Sequence, residues 1–133
     1  ALTLTHLGDV ARLHKDYMLA LNYYNQALMV DTGAKDRRGQ ALRQERLGRI
    51  FLDLKDYDRA AVYLKEALTE FRRLQDTDGI AAALKGLTLL ALARGDRQEA
   101  NLNGNLLLGL YQTRGQEQEA RELETLLKRG DGR

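Results

Sequence analysis

The chain has 133 residues, 44% of them hydrophobic and 30% charged, with 21 Lys and Arg against 19 Asp and Glu. That is enough for one domain with a core, and the two signs are too evenly mixed for a nucleic-acid or membrane-surface signature. Cysteine, proline, tryptophan and serine are all absent, which excludes disulfides, thiolate zinc sites and a serine nucleophile and leaves long helices uninterrupted.

Residues 1–40 read as two helical stretches separated at Lys15-Asp16, followed by a turn-rich linker from Asp31 to Asp36. Residues 41–80 repeat them. Leu7-Gly8 falls on Leu47-Gly48, and Lys15-Asp16-Tyr17 on Lys55-Asp56-Tyr57. Ala20 falls on Ala60, Tyr23 on Tyr63, and Ala27-Leu28 on Ala67-Leu68. Roughly a third of positions match, against roughly one in fifteen expected at average residue usage. In this second copy Leu47, Ile50, Phe51 and Leu54 recur at helical spacing. Asp56 is an N-cap, because its carboxylate can accept orphan backbone N–H groups. Tyr57, Ala60, Ala61, Leu64, Leu68 and Phe71 form the second stripe, and Gln75 to Gly79 reads as the matching linker.

The third copy is worn. Leu87, Asp96, Ala100 and Leu108 keep the register, but Thr88 replaces the glycine, Arg97 the tyrosine, and Gly104 stands where Tyr24 and Leu64 stood. Its helices are expected at about 80–93 and 97–113, with Arg94-Gly95-Asp96 as the corner. A further helix over 116–129 carries Ala120, Leu123 and Leu127 on one stripe, and the tail from Gly130 to Arg133 reads as frayed. The organisation is therefore one domain over 1–133, with repeats at 1–40, 41–80 and 81–113 and a C-terminal helix. Glycine in a helix interior costs about 1 kcal/mol against alanine, so propensity alone expects Gly104→Ala to stabilise the chain. Gly8 and Gly48 are expected to face Ala20 and Ala60 across each hairpin.

Small residues at 8 and 20 with Ala-Leu at 27 and 28, recurring in the second copy, resemble the tetratricopeptide repeat. The 40-residue period is similar to the long-linker variety found in bacterial regulators, signalling ATPases and scaffold adaptors. The resemblance covers about 1–113. It implies an all-α, right-handed α-α superhelix, or solenoid, of three helical hairpins with a C-terminal capping helix. Such arrays stack because one hairpin cannot bury both of its stripes alone.

Few residues carry chemistry of their own. His6 and His14 lie eight apart, about 12 Å of helical rise, where a metal pair would want four. Arg94-Gly95-Asp96 occupies the corner position of Lys15-Asp16 and Lys55-Asp56, so it reads as a capped corner and not as an adhesion tripeptide. Glu117, Glu119, Glu122 and Glu124 read as solvated faces of the last helix. Arg37, Arg38, Arg43, Arg46 and Arg49 form one basic cluster, read as a solvated surface balanced by Glu45 and Asp53; the competing reading is an anionic partner. No base-stacking aromatics accompany it, so RNA is disfavoured. No catalytic, metal or cofactor residue emerges, and the chain is read as a non-enzyme.

What the resemblance adds is a concave groove lined by the first helix of each hairpin. Carried onto this sequence, the partner-binding wall comprises Asp9, Arg12, Glu45, Arg49, Leu52, Lys85, Leu89 and Leu92, polar at one end and apolar at the other. The positions of a terminal-carboxylate clamp hold Thr5, Asp9, Ala82 and Gly86, so chaperone C-termini are disfavoured. The expected function is a protein- or peptide-binding module of a larger regulatory or scaffold protein, since the chain begins at Ala1 and not at Met. The absence of cysteine fits a cytoplasmic setting, and no run approaches the roughly 20 apolar residues that span a bilayer. Two alternatives stand beside it: a peptide-sensing regulatory domain, and a scaffold that self-assembles through the array ends, where Val10, Leu21 and Tyr24 lie on stripes without a preceding neighbour.

Overall fold

A computed structural model describes residues 2–131. Among them are seven helices and no strand: α1 (Leu2–Leu13), α2 (Tyr17–Gly33), α3 (Arg37–Asp53), α4 (Tyr57–Leu74), α5 (Thr77–Arg94), α6 (Arg97–Thr113) and α7 (Glu117–Asp131). None of these helices is long and apolar enough to cross a membrane.

All six corners are built alike. Lys15, Lys35, Lys55, Gln75, Gly95 and Gly115 have positive φ, between 55° and 73°. The next residue then donates its N–H back five positions: Asp16 to the Ala11 carbonyl, Asp36 to Asp31, Asp56 to Phe51, Asp76 to Phe71, Asp96 to Ala91 and Gln116 to Tyr111, at 2.8–3.0 Å. This is the Schellman closure, in which a left-handed residue lets the last carbonyls find donors. In the first five corners the same residue is aspartate, and its carboxylate accepts the N–H three residues ahead, from 2.9 Å at Gly39 to 3.3 Å at Leu19 and Arg59. One aspartate thus ends one helix and caps the next.

These corners correct the expected linkers. Asp31 to Gly33 finish α2, and Thr77 to Gly79 begin α5, so two or three residues connect the helices. The long period is taken up by helices of 17 or 18 residues from α2 to α6. The last helix runs two residues beyond its expected end. Gly130 and Asp131 belong to it, while residues 132 and 133 of the expected tail lie outside the described residues.

The chain divides into two compact units, one ending at Ala83 and one beginning at Leu84, the division falling within α5. In the first unit the core gathers Ala11, Ala20, Tyr24, Leu47 and Ile50, with Tyr17, Leu21, Leu28 and Tyr63 against it. Leu47 and Ile50 are fully buried, and each such side chain contributes about 1.5–3 kcal/mol on leaving water. Phe51 stacks on Tyr63 with ring centroids 5.4 Å apart. The small residue of each first helix meets a large one: a Cβ on Gly8 would lie 2.5 Å from the Tyr24 ring, and one on Gly48 2.6 Å from Leu64. Tyr24 and Leu64 thus fill the volume beside these glycines.

The second unit reverses this arrangement. Thr88, at the position of Gly8 and Gly48, is fully buried and donates its hydroxyl to the Leu84 carbonyl at 2.8 Å. Gly104, at the position of Tyr24 and Leu64, receives Leu127 of α7, so that a Cβ there would sit 2.8 Å from a leucine methyl. The worn repeat is therefore the seat of the last helix. The expectation that Gly104→Ala stabilises now has a cost set against it: the methyl would fall where the Leu127 methyls sit. Ala120, Leu123 and Leu127 are buried, as their stripe expected.

Candidate binding clefts

In the first unit, Asp9 and Arg12 of α1 come together with Glu45, Arg46 and Arg49 of α3 around a cleft of about 310 Å³, with Leu13 at its edge. Four residues of the expected wall, Asp9, Arg12, Glu45 and Arg49, thus share one site. Their charges are engaged. Arg12 Nε donates to Asp53 at 2.7 Å, and Arg46 lies 3.4 Å from Asp9. The Glu45 carboxylate, 1% exposed, accepts from Arg46 at 2.7 Å and lies 3.7 Å from Arg49. Glu45 is therefore a buried organiser of two arginines and not an open contact. The Tyr24 hydroxyl donates to Asp9 in a short hydrogen bond.

Titration follows this geometry. Burial, and then the bond to Asp9, push the Tyr24 phenol well above its ordinary range. Burial lowers Arg49, partly offset by Glu45. Burial also acts on Arg12, but the hydrogen bond and charge of Asp53 outweigh it and raise the guanidinium.

The basic cluster is in part the solvated surface expected: Arg37 and Arg38 are exposed, whereas Arg43 is buried. Arg37 lies 3.7 Å from Glu70, Arg38 donates to Asp76 at 2.7 Å, and Arg43 is buried 3.4 Å from an equally buried Asp31. With Arg46 and Arg49 held as above, each of the five arginines meets a carboxylate. The Asp31–Arg43 pair is poorly satisfied: Asp31 Oδ2 and Arg43 Nε and Nη1 lack aligned hydrogen bonds. An open cleft of about 380 Å³ between α3 and α4 is lined by Arg37, Gln40, Gln44, Lys65, Glu66, Thr69 and Glu70. There Arg37 meets Glu70, and the Gln44 amide donates to Glu66 at 3.5 Å.

In the second unit Lys85 lines a cleft of about 180 Å³ with Thr88 of α5, Leu107 and Tyr111 of α6, and Glu119, Glu122, Leu123 and Leu126 of α7. Leu52 in the first unit and Leu89 and Leu92 in the second are half-buried. His6 and His14 are exposed, and among the described residues no group of three His, Cys, Asp or Glu could hold a metal ion. Asp96 caps α6 by accepting from the Glu99 N–H at 3.1 Å, which is the corner role read from its position.

Sequence reasoning missed Asp31 and Tyr24 as members of a polar network. A signal for Asp31 was present: its equivalents are Phe71 and Tyr111, both buried, and Gly39 and Gly79 recur opposite Asp31 and Phe71. No family model matches the chain, and no curated protein matches it.

Proposed function

We propose that this chain is a tetratricopeptide-like interaction module that holds a peptide or protein segment against its first-of-pair helices. The right-handed superhelix implied by that family, the role as part of a larger regulatory or scaffold protein and the cytoplasmic setting belong to the same proposal. One observation carries it. Side chains distant in sequence, Asp9 and Arg12 with Glu45 and Arg49, line one cleft between α1 and α3, where the resemblance places a partner. Charges fixed by one another give orientation and on-rate more than affinity, so apolar contacts must supply most of the binding energy. The test is chemical-shift mapping with a peptide selected from a displayed library. Perturbations are expected on α1, α3, α5 and α7. Perturbations confined to α2, α4 and α6 would overturn the assignment.

A second reading, self-association, has its own support. Leu7 and Val10 are 42% and 52% exposed, whereas their equivalents Leu47 and Ile50 are 0% exposed in the core that includes Tyr24 of α2. Tyr24 itself is buried, and Leu21 is half-buried, so of the three residues expected on the open stripe only Val10 is exposed. Sedimentation velocity that reports a monomer at every concentration would eliminate this reading.

A further inference from the structure

The cleft of the second unit differs from that of the first in what its walls can still bind. Leu107, Leu123 and Leu126 with Tyr111 and Thr88 make an apolar lining, and three charged groups stand among them. Lys85 belongs to α5; Glu119 and Glu122 belong to α7. All three are exposed. Among the described residues none of the three is held in an ion pair; Glu122 accepts only from Gln118, at 2.9 Å, and the neighbouring Arg121 is spent on Glu117 at 3.9 Å. In the first unit, by contrast, Arg12, Arg46 and Arg49 are already matched to carboxylates.

Size decides the class of occupant. About 180 Å³ falls short of the roughly 300–1,000 Å³ that encloses a drug-sized ligand, yet suits one large side chain. We propose that this cleft takes a single large aliphatic or aromatic side chain of a peptide that carries Lys or Arg on one side of that anchor and Asp or Glu on the other. The anchor leaves water against the half-buried Leu126, over a floor formed by the buried Leu107 and Leu123. The basic flank meets Glu119 and Glu122, and the acidic flank meets Lys85, which fixes the direction in which the peptide crosses from α5 to α7. This assignment rests on the peptide-binding reading and names the sequence class for one of its clefts.

The experiment is selection of a displayed library of short random peptides on the immobilised full chain, repeated with Glu119→Lys/Glu122→Lys and with Lys85→Glu. All three substituted positions are exposed, and circular dichroism confirms each fold. Wild type is expected to enrich a large apolar residue with a basic and an acidic neighbour. Glu119→Lys/Glu122→Lys is expected to reverse the basic flank while keeping the anchor, and to weaken the wild-type peptide about tenfold. Lys85→Glu is expected to reverse only the acidic flank. Enriched peptides whose flanks ignore both variants would overturn this inference and leave the binding function standing. Failure to enrich any peptide on the wild-type chain would overturn both.

Discussion

Equivalent positions in the two units are filled by opposite chemistry. At the α2–α3 junction of the first unit Asp31 meets Arg43, both buried. One repeat further on in the same unit the residues at these positions are Phe71 and Ala83, and in the second unit Tyr111 and Leu123. The α2–α3 junction is charged where both later ones are greasy. A buried pair with incomplete hydrogen bonding contributes little net stability, because the attraction is set against two desolvation penalties. The ion pair joins α2 to α3 and, with Glu45, belongs to a set of charges that are engaged with one another. In the second unit Lys85, Glu119 and Glu122 stand outside any ion pair among the described residues.

The sharpest way to break this comparison is to make one junction into the other. Arg43→Met would strand the Asp31 carboxylate in the core and is expected to cost about 3–5 kcal/mol, read by urea denaturation. Asp31→Phe with Arg43→Ala imports the Phe71–Ala83 solution, and Gly39 matches Gly79 opposite it. That double variant is expected to be neutral or more stable than wild type. If it unfolds as readily as the single variant, the ion pair contributes net stability.

Next in size is the seat of the last helix. Gly104→Ala gains about 1 kcal/mol of helix propensity but overpacks against Leu127, at about 1–3 kcal/mol, so a net loss of about 1 kcal/mol is expected. Where Leu127→Ala has emptied the seat, the same change is expected to stabilise. A double-mutant cycle reads that change of sign, and additive effects would contradict the seating described above.

A smaller effect is expected at Tyr24. Tyr24→Phe should cost about 1 kcal/mol near neutral pH, a charge-assisted bond discounted for the partial exposure of Asp9. The phenol is raised in the folded state above its ordinary 10.0. Its contribution is complete below that value and is lost as pH climbs above it. Thermal unfolding of wild type and variant should therefore converge on the alkaline side.

The smallest effect compares the corners. The first unit places Lys15, Lys35, Lys55 and Gln75 at positive φ, and the second has Gly95 and Gly115. A left-handed side chain costs roughly 1 kcal/mol, partly returned by the greater backbone entropy that glycine loses on folding. Lys55→Gly is expected to raise stability by about 0.5 kcal/mol, and Gly95→Lys to lower it by a similar amount, as calorimetry would show.

The repeat was legible in the sequence because Leu7-Gly8 and Lys15-Asp16-Tyr17 recur intact 40 residues later, and periodicity needs no knowledge of partners. The polar side of the first cleft was half legible. Asp9, Arg12 and Arg49 do line one cleft, but the burial of Glu45 beside Arg46 and Arg49 is a tertiary contact that spacing does not reveal. Asp31 was hidden because aspartate beside Thr32 and Gly33 reads locally as a turn, and its buried partner Arg43 lies on another helix. Gly104 was hidden for a related reason: its meaning lies in Leu127, on another helix. Leu52, Leu89 and Leu92 show the limit of face assignment, since helical spacing fixes direction but not how much neighbouring helices cover.

The repeated corner has a consequence for how such a chain can lengthen. Every reversal closes on the same backbone bonds at intervals of 20 residues, from Lys15 to Gly115. Duplicating 20 residues would insert one helix and exchange inward-facing for outward-facing roles in everything downstream. Duplicating 40 would return each later residue to its own environment. Growth and loss in this architecture are thus counted in pairs of helices.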